Sequence, residues 1–126
     1  YVPLFIKSAP DLSPEEVNGI AESLIKSEMD GVIATNTTLD REAVKGLDHA
    51  NEAGGLSGEV LVNQSQLITE KLHTALNGKM PIIGVGGIHD VASAKARMAA
   101  GAELIQVYSS FIYQGPALVK QLVEGL

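Results

Sequence analysis

The 126 residues contain no cysteine and no tryptophan, and aromatic side chains make up only 4% of the chain. Without cysteine there is neither a disulfide framework nor a thiolate metal site, which fits a reducing compartment. No apolar run approaches the roughly 20 residues that a membrane-spanning helix requires, because charged or glycine-rich segments interrupt every candidate. The visible chain is therefore expected to be soluble. Positive charge is also scarce: nine Lys and Arg stand against fifteen Asp and Glu, a net charge of −6. That is the wrong sign for a general binder of phosphate backbones, so nucleic acid is not an expected partner. A single anion can still be held locally, since backbone amides and one lysine can outweigh an unfavourable overall charge. His49, His73 and His89 stand apart without metal-motif spacing, and Asp40, Asp48, Glu52 and Glu59 lack the spacing of a calcium loop. No metal is expected, and the histidines read as surface or loop residues.

What is present is a 45% hydrophobic chain whose apolar runs alternate between two lengths. Val2-Pro3-Leu4-Phe5-Ile6 is short and β-prone and reads as a buried strand. Ser13-Pro14-Glu15-Glu16 announces a helix, with Ser13 as N-cap, Pro14 in the first turn and Glu16 reaching back. Val17, Ile20, Ala21, Leu24 and Ile25 then repeat at helical spacing up to a Met29-Asp30-Gly31 turn. Gly31 to Thr35 is a second strand. After a long polar segment from Asn36 to Gly58, Leu67, Ile68, Leu72, Ala75 and Leu76 form another helical stripe, stopped by Asn77-Gly78. Pro81 to Val85 is a third strand. Asp90 caps a helix carrying Val91, Ala94 and Met98, closed by Gly101, and Glu103 to Tyr108 is a fourth strand. A short helical segment begins at Phe111, and Pro116 starts a last helix with Leu118, Val119, Leu122 and Val123 on one face.

Strict alternation of strand and helix means a parallel sheet. Four β/α units do not close an eight-stranded barrel, so the chain is either a small open α/β sheet or half of a (β/α)8 TIM barrel. Tyr1 opens straight into an apolar run without an initiator Met or polar leader, which reads as a start cut from something longer.

Chemistry-bearing residues gather at the strand ends. Gly84-Val85-Gly86-Gly87-Ile88 follows a strand and precedes a helix, so its backbone N–H groups can approach an anion closely; a plain tight turn is the competing reading. Tyr108-Ser109-Ser110 follows the next strand, and barrels often build a phosphate site from the loops after their last two strands. Lys7 ends the first strand rather than sitting on an exposed helix face. Beside a flavin, a fixed cation stabilises the reduced ring; a rim lysine whose stem packs on apolar surface is the alternative. Thr35-Asn36-Thr37-Thr38 ends the second strand and offers hydroxyls and a carboxamide, although Asn and Thr are also ordinary turn residues. Gly54-Gly55-Leu56-Ser57-Gly58 supplies flexible backbone before the next helix.

Taken together, Lys7-Ser8-Ala9-Pro10-Asp11-Leu12, Asp30 to Thr38, Gly54 to Gly58, Gly84 to Ile88 and Gln106-Val107-Tyr108-Ser109 resemble the C-terminal half of class 2 dihydroorotate dehydrogenase, the membrane-associated, quinone-reducing type. The likeness runs through essentially the whole chain in the family's order and spacing. It implies that Lys7, Thr35, Gly58, Gly87, Tyr108 and Ser109 contact FMN, the last three chiefly at its phosphate, and that Asn36 and Thr37 touch dihydroorotate or orotate. In the family, a serine takes the C5 proton of dihydroorotate, hydride passes from C6 to flavin N5, and a quinone reoxidises the flavin during pyrimidine (UMP) biosynthesis. Ser8, Ser57, Ser109 and Ser110 do not match the base's position, so the base is expected upstream of Tyr1, together with the quinone-contacting region and the peripheral membrane contact. The 126 residues alone are expected to be inactive and to self-associate through unpaired strand edges. Two other readings stay open: a different phosphate-binding barrel, such as an isomerase or lyase, and a non-enzymatic half-barrel assembly.

Overall fold

The computed structural model describes residues 1–126. Its elements follow the β/α alternation: β1 (Phe5–Ser8), α1 (Pro14–Lys26), β2 (Gly31–Ala34), α2 (Val62–Leu76), β3 (Ile82–Val85), α3 (Val91–Ala99), β4 (Leu104–Gln106), α4 (Ser109–Gln114) and α5 (Ala117–Gly125). Two short 3-10 turns, Glu42–Val44 and Glu59–Leu61, interrupt the loop between β2 and α2. The four strands form one parallel sheet in chain order, β1-β2-β3-β4. Parallel neighbours need a crossover that returns the chain to the same end of the sheet. All strand C-termini therefore share one rim, and the loops leaving them meet there.

Local signals fix the helix starts. Ser13 accepts from the Glu16 amide while the Glu16 carboxylate accepts from the Ser13 amide, a complete capping box with Pro14 in the first turn. Asp90 and Ser93 form the equivalent pair at the start of α3. Left-handed Asn77 ends α2. The main core joins Val17, Ala21 and Leu24 of α1 to Ile68, Leu72 and Leu76 of α2 over Val32, Ala34 and Ile82 of the sheet. A smaller cluster, Ile88, Ala94, Leu118 and Leu122, holds α3 and α5 together. Fully burying one Leu of this kind contributes about 1.5–3 kcal/mol, and these two clusters hold the rim in place from below.

Several boundaries differ from those read in the sequence. The first strand lies at Phe5–Ser8 rather than Val2 to Ile6. Its partner begins at Gly31, opposite Phe5, and Gly31 has no Cβ because the Phe5 ring occupies that space, 2.2 Å from where a Cβ would sit. Tyr1 to Leu4 are exposed and are held by Asp30, whose carboxylate accepts from the Tyr1 hydroxyl and from the Leu4 amide. The second strand ends at Ala34, and the fourth is only Leu104–Gln106, since it pairs with β3 alone and β3 stops at Val85. Helix α2 starts at Val62 and turns Leu67 outward, 48% exposed. Its buried stripe includes Ser65 and Thr69, polar residues that hide the periodicity. On α5, Leu118 and Leu122 are buried while Val119 and Val123 face out, and α4 begins at Ser109 rather than Phe111. No helix is long and apolar enough to cross a membrane.

Candidate functional site

A cavity of about 480 Å³ opens where the strands end, and the eight residues singled out from the sequence, Lys7, Thr35, Asn36, Thr37, Gly58, Gly87, Tyr108 and Ser109, all line it. The volume lies within the range of about 300–1,000 Å³ usual for cofactor and substrate sites. Parallel topology brings together residues more than 100 positions apart.

On the β2 side, the Thr35 amide bonds to Val85 O at 2.9 Å and the Asn36 amide to Ser8 O at 2.7 Å, so the chain leaving β2 is pinned between its two neighbours. Thr35 is 2% exposed, and its hydroxyl lies 2.6 Å from that of Ser65, which is fully buried. Asn36 Oδ1 accepts from the Thr37 amide at 2.9 Å. That fixes the carboxamide and leaves its NH2 group, a double donor, free to meet a ligand. Lys7 is exposed on β1, in register with Ile33 of β2.

The β3 side is a turn built against a solid backing. Gly86 (φ +106) and Gly87 (φ +76) adopt backbone that other residues rarely take, and a Cβ on Gly87 would sit 2.5 Å from the Val62 amide nitrogen. The amides of Gly86, Gly87 and Ile88 find no acceptor within the chain, although all three residues line the cavity. Buried or half-buried N–H groups without partners are uncommon and call for an acceptor. The first-turn amides of α4, at Ser109 and Ser110, add donors with no intrahelical acceptor, and no side chain caps that helix. Ser109 Oγ donates to Ser57 Oγ at 2.9 Å, tying the glycine-rich 54–58 segment to α4. The Ser110 hydroxyl donates to Ile88 O.

The long 36–58 loop is held at its base by Asp11. Its carboxylate accepts from the Thr38 hydroxyl, the Leu39 amide and the Gln64 carboxamide. Partial burial works against ionisation of Asp11, but the bonds from Thr38, Leu39 and Gln64, helped by the Arg41 charge, outweigh it and hold its pKa below the usual 3.8. An antiparallel bridge between Thr38 and Leu56 closes the loop's neck, and Arg41 crosses the loop to the carbonyls of Glu52 and Gly54. Asp90 is likewise held below its ordinary value by the Ser93 hydroxyl and amide. No group of three His, Asp or Glu side chains is arranged to hold a metal ion.

A family model described as dihydroorotate dehydrogenase matches residues 1–126. This chain belongs to the dihydroorotate dehydrogenase family. It is 59% identical over its whole length to a dihydroorotate dehydrogenase (quinone) of Vibrio parahaemolyticus and 58% identical to that of Aeromonas salmonicida, spanning 38% of each. A crystal structure of the Eimeria tenella dihydroorotate dehydrogenase in complex with ferulenol superposes with a TM-score of 0.92 at 38% identity, over 98% of this chain and 32% of that one. The four parallel β/α units are thus part of a TIM barrel, and the chain spans little more than a third of the length of these relatives.

For a dihydroorotate dehydrogenase, the site contains residues that sequence reasoning passed over. His89 is a loop residue, but it lines the cavity, with Nδ1 2.7 Å from Gly87 O; its place directly after the glycine motif was the available signal. Ser65 escaped notice because it is a polar residue in the first turn of α2, ahead of the apolar stripe. Arg97 was missed altogether. It is 2% exposed and reaches behind the glycine turn, where Nη1 donates to Val85 O at 3.0 Å and Nη2 to Gly86 O at 2.9 Å.

Proposed function

We propose that the protein to which these residues belong oxidises dihydroorotate to orotate, using FMN and a quinone acceptor, in pyrimidine biosynthesis. In this reading the 126 residues supply the phosphate grip and part of the flavin and substrate sites. The observation that carries it is the convergence on one cavity of three partnerless amides at Gly86, Gly87 and Ile88, the α4 amides, Lys7 and the Thr35-Asn36-Thr37 corner. Donors of that kind suit a phosphate monoester in an otherwise acidic chain, and the cavity volume suits a flat cofactor with a small acid beside it.

FMN bound there supplies the hydride acceptor. The protein's part is to bind, orient and polarise. Gly87, Tyr108 and Ser109 hold the phosphate end, while Gly58 lets the loop backbone lie close to the flavin. Thr35, fixed by Ser65, would contact the flavin, and Lys7 would supply a positive charge that favours an anionic reduced flavin. Asn36 and Thr37 present the carboxamide NH2 and a hydroxyl to the substrate's imide and carboxylate. Ser8 is buried and donates to Ile33 O, Ser109 donates to Ser57 and Ser110 donates to Ile88 O; none of these four serines matches the position of the base in the family that the sequence resembles. The base, the quinone contact and the peripheral membrane attachment belong to parts of the protein outside these residues, and the 126-residue chain alone does not turn over.

Anaerobic titration of the full-length protein with dihydroorotate tests this reading. Its flavin absorbance should bleach and return on adding a quinone. Asn36→Ala should keep its flavin but need about tenfold or more dihydroorotate for half-bleaching, consistent with loss of a hydrogen bond to a charged or imide group. A colourless protein that takes up no FMN, or one whose flavin dihydroorotate never bleaches, would refute the proposal.

A further inference from the structure

Arg97 is the largest fully buried side chain in the molecule, and no carboxylate pairs with it. Buried charges are normally paired. This one instead donates only to carbonyls, those of Val85 and Gly86 and, at 3.4 Å, Val62, while its Nε has no partner. Burial lowers its pKa to about 10, so it stays charged at neutral pH. The fold makes room for it deliberately. A Cβ on Gly84 would lie 2.4 Å from Arg97 Cγ, so the absent side chain on β3 is what lets the Arg97 stem pass.

In a trans peptide the C=O and N–H point in opposite directions. Drawing the Val85 and Gly86 carbonyls back toward the guanidinium therefore turns the Gly86 and Gly87 amides the other way, and these are amides without an acceptor in the chain. We infer that Arg97 is a positioning residue for the anion site: its guanidinium fork sets the orientation of the glycine-turn amides, and its unpaired charge favours a dianion in front of them. The inference rests on the phosphate-grip reading above. Arg97 touches neither cofactor nor substrate in it and acts through the turn.

The test compares FMN with riboflavin, which lacks the phosphate, on the full-length apoprotein by quenching of flavin fluorescence. Wild type should prefer FMN strongly. Arg97→Met should lower FMN affinity about tenfold or more and leave riboflavin affinity within about twofold, so the ratio collapses. Arg97→Lys, which keeps the charge and loses the fork, should fall between the two, and it decides the matter if the Met variant does not fold. An unchanged FMN-to-riboflavin ratio in the folded variant, including equal weakening of both, overturns the inference while leaving the grip intact. A wild-type protein that binds both flavins equally overturns the phosphate-grip reading, and this inference with it.

Discussion

Gly87 and Gly78 share nearly the same backbone angle, φ +76 and φ +74, but differ in what surrounds them. A Cβ at Gly78 would meet nothing within 4 Å, whereas at Gly87 it would meet the Val62 backbone at 2.5 and 2.7 Å. Replacing each with alanine therefore separates backbone strain from crowding. The left-handed conformation costs a residue with a Cβ about 1–2 kcal/mol, and that is the whole expected effect of Gly78→Ala. Gly87→Ala should carry the same strain plus roughly 1–3 kcal/mol of overpacking, because the start of α2 would have to move. Its total is about 2–5 kcal/mol. Urea titration of the full-length protein without added flavin reads both variants, with stability taken from midpoint and slope. Equal losses for the two alanines would refute the claim that the glycine turn is seated directly on α2.

Three further outcomes follow from the same structure. Leu72→Ala, at a side chain with no exposed surface that joins α1, α2 and the sheet, should cost about 2–5 kcal/mol in the same denaturation experiment. Asp11 has a lowered pKa in the folded state, so its stabilisation is present above the usual 3.8 and is lost as pH falls through the folded value; Asp11→Asn should remove that part of the acid dependence and, by loosening the loop base, speed proteolytic cutting between residues 41 and 51. Ser65→Ala should cost about 1 kcal/mol by removing the buried partner of Thr35, with no change in the acid dependence of stability.

How much could be read beforehand depended on whether the cause was local. The starts of α1 and α3 were legible because a capping box lies within four consecutive residues, and Asn77-Gly78 marked the end of α2 for the same reason. The glycine turn was legible because strand, glycines and helix follow one another directly. Arg97 was not, because its burial depends on a missing side chain at Gly84, on strand β3, which its stem packs against. The first strand was placed too early because its limits are set by pairing with Gly31 to Ala34, not by its own apolar run. Ser65 and Thr69 are polar by type, and only the folded chain shows Ser65 meeting the Thr35 hydroxyl and Thr69 donating to Ser65 O. Asp11 carries no local signal of its role, and only the folded loop shows it holding residues 38 and 39 to Gln64.

The central claim is that these residues grip the phosphate of a flavin. The most direct measurement is the affinity of the wild-type full-length apoprotein for FMN relative to riboflavin. Three amides bonding a phosphate dianion, at about 1.5–3 kcal/mol each before losses, predict a preference for FMN of about a hundredfold or more. Affinities within about threefold of each other, less than 1 kcal/mol apart, would contradict the account.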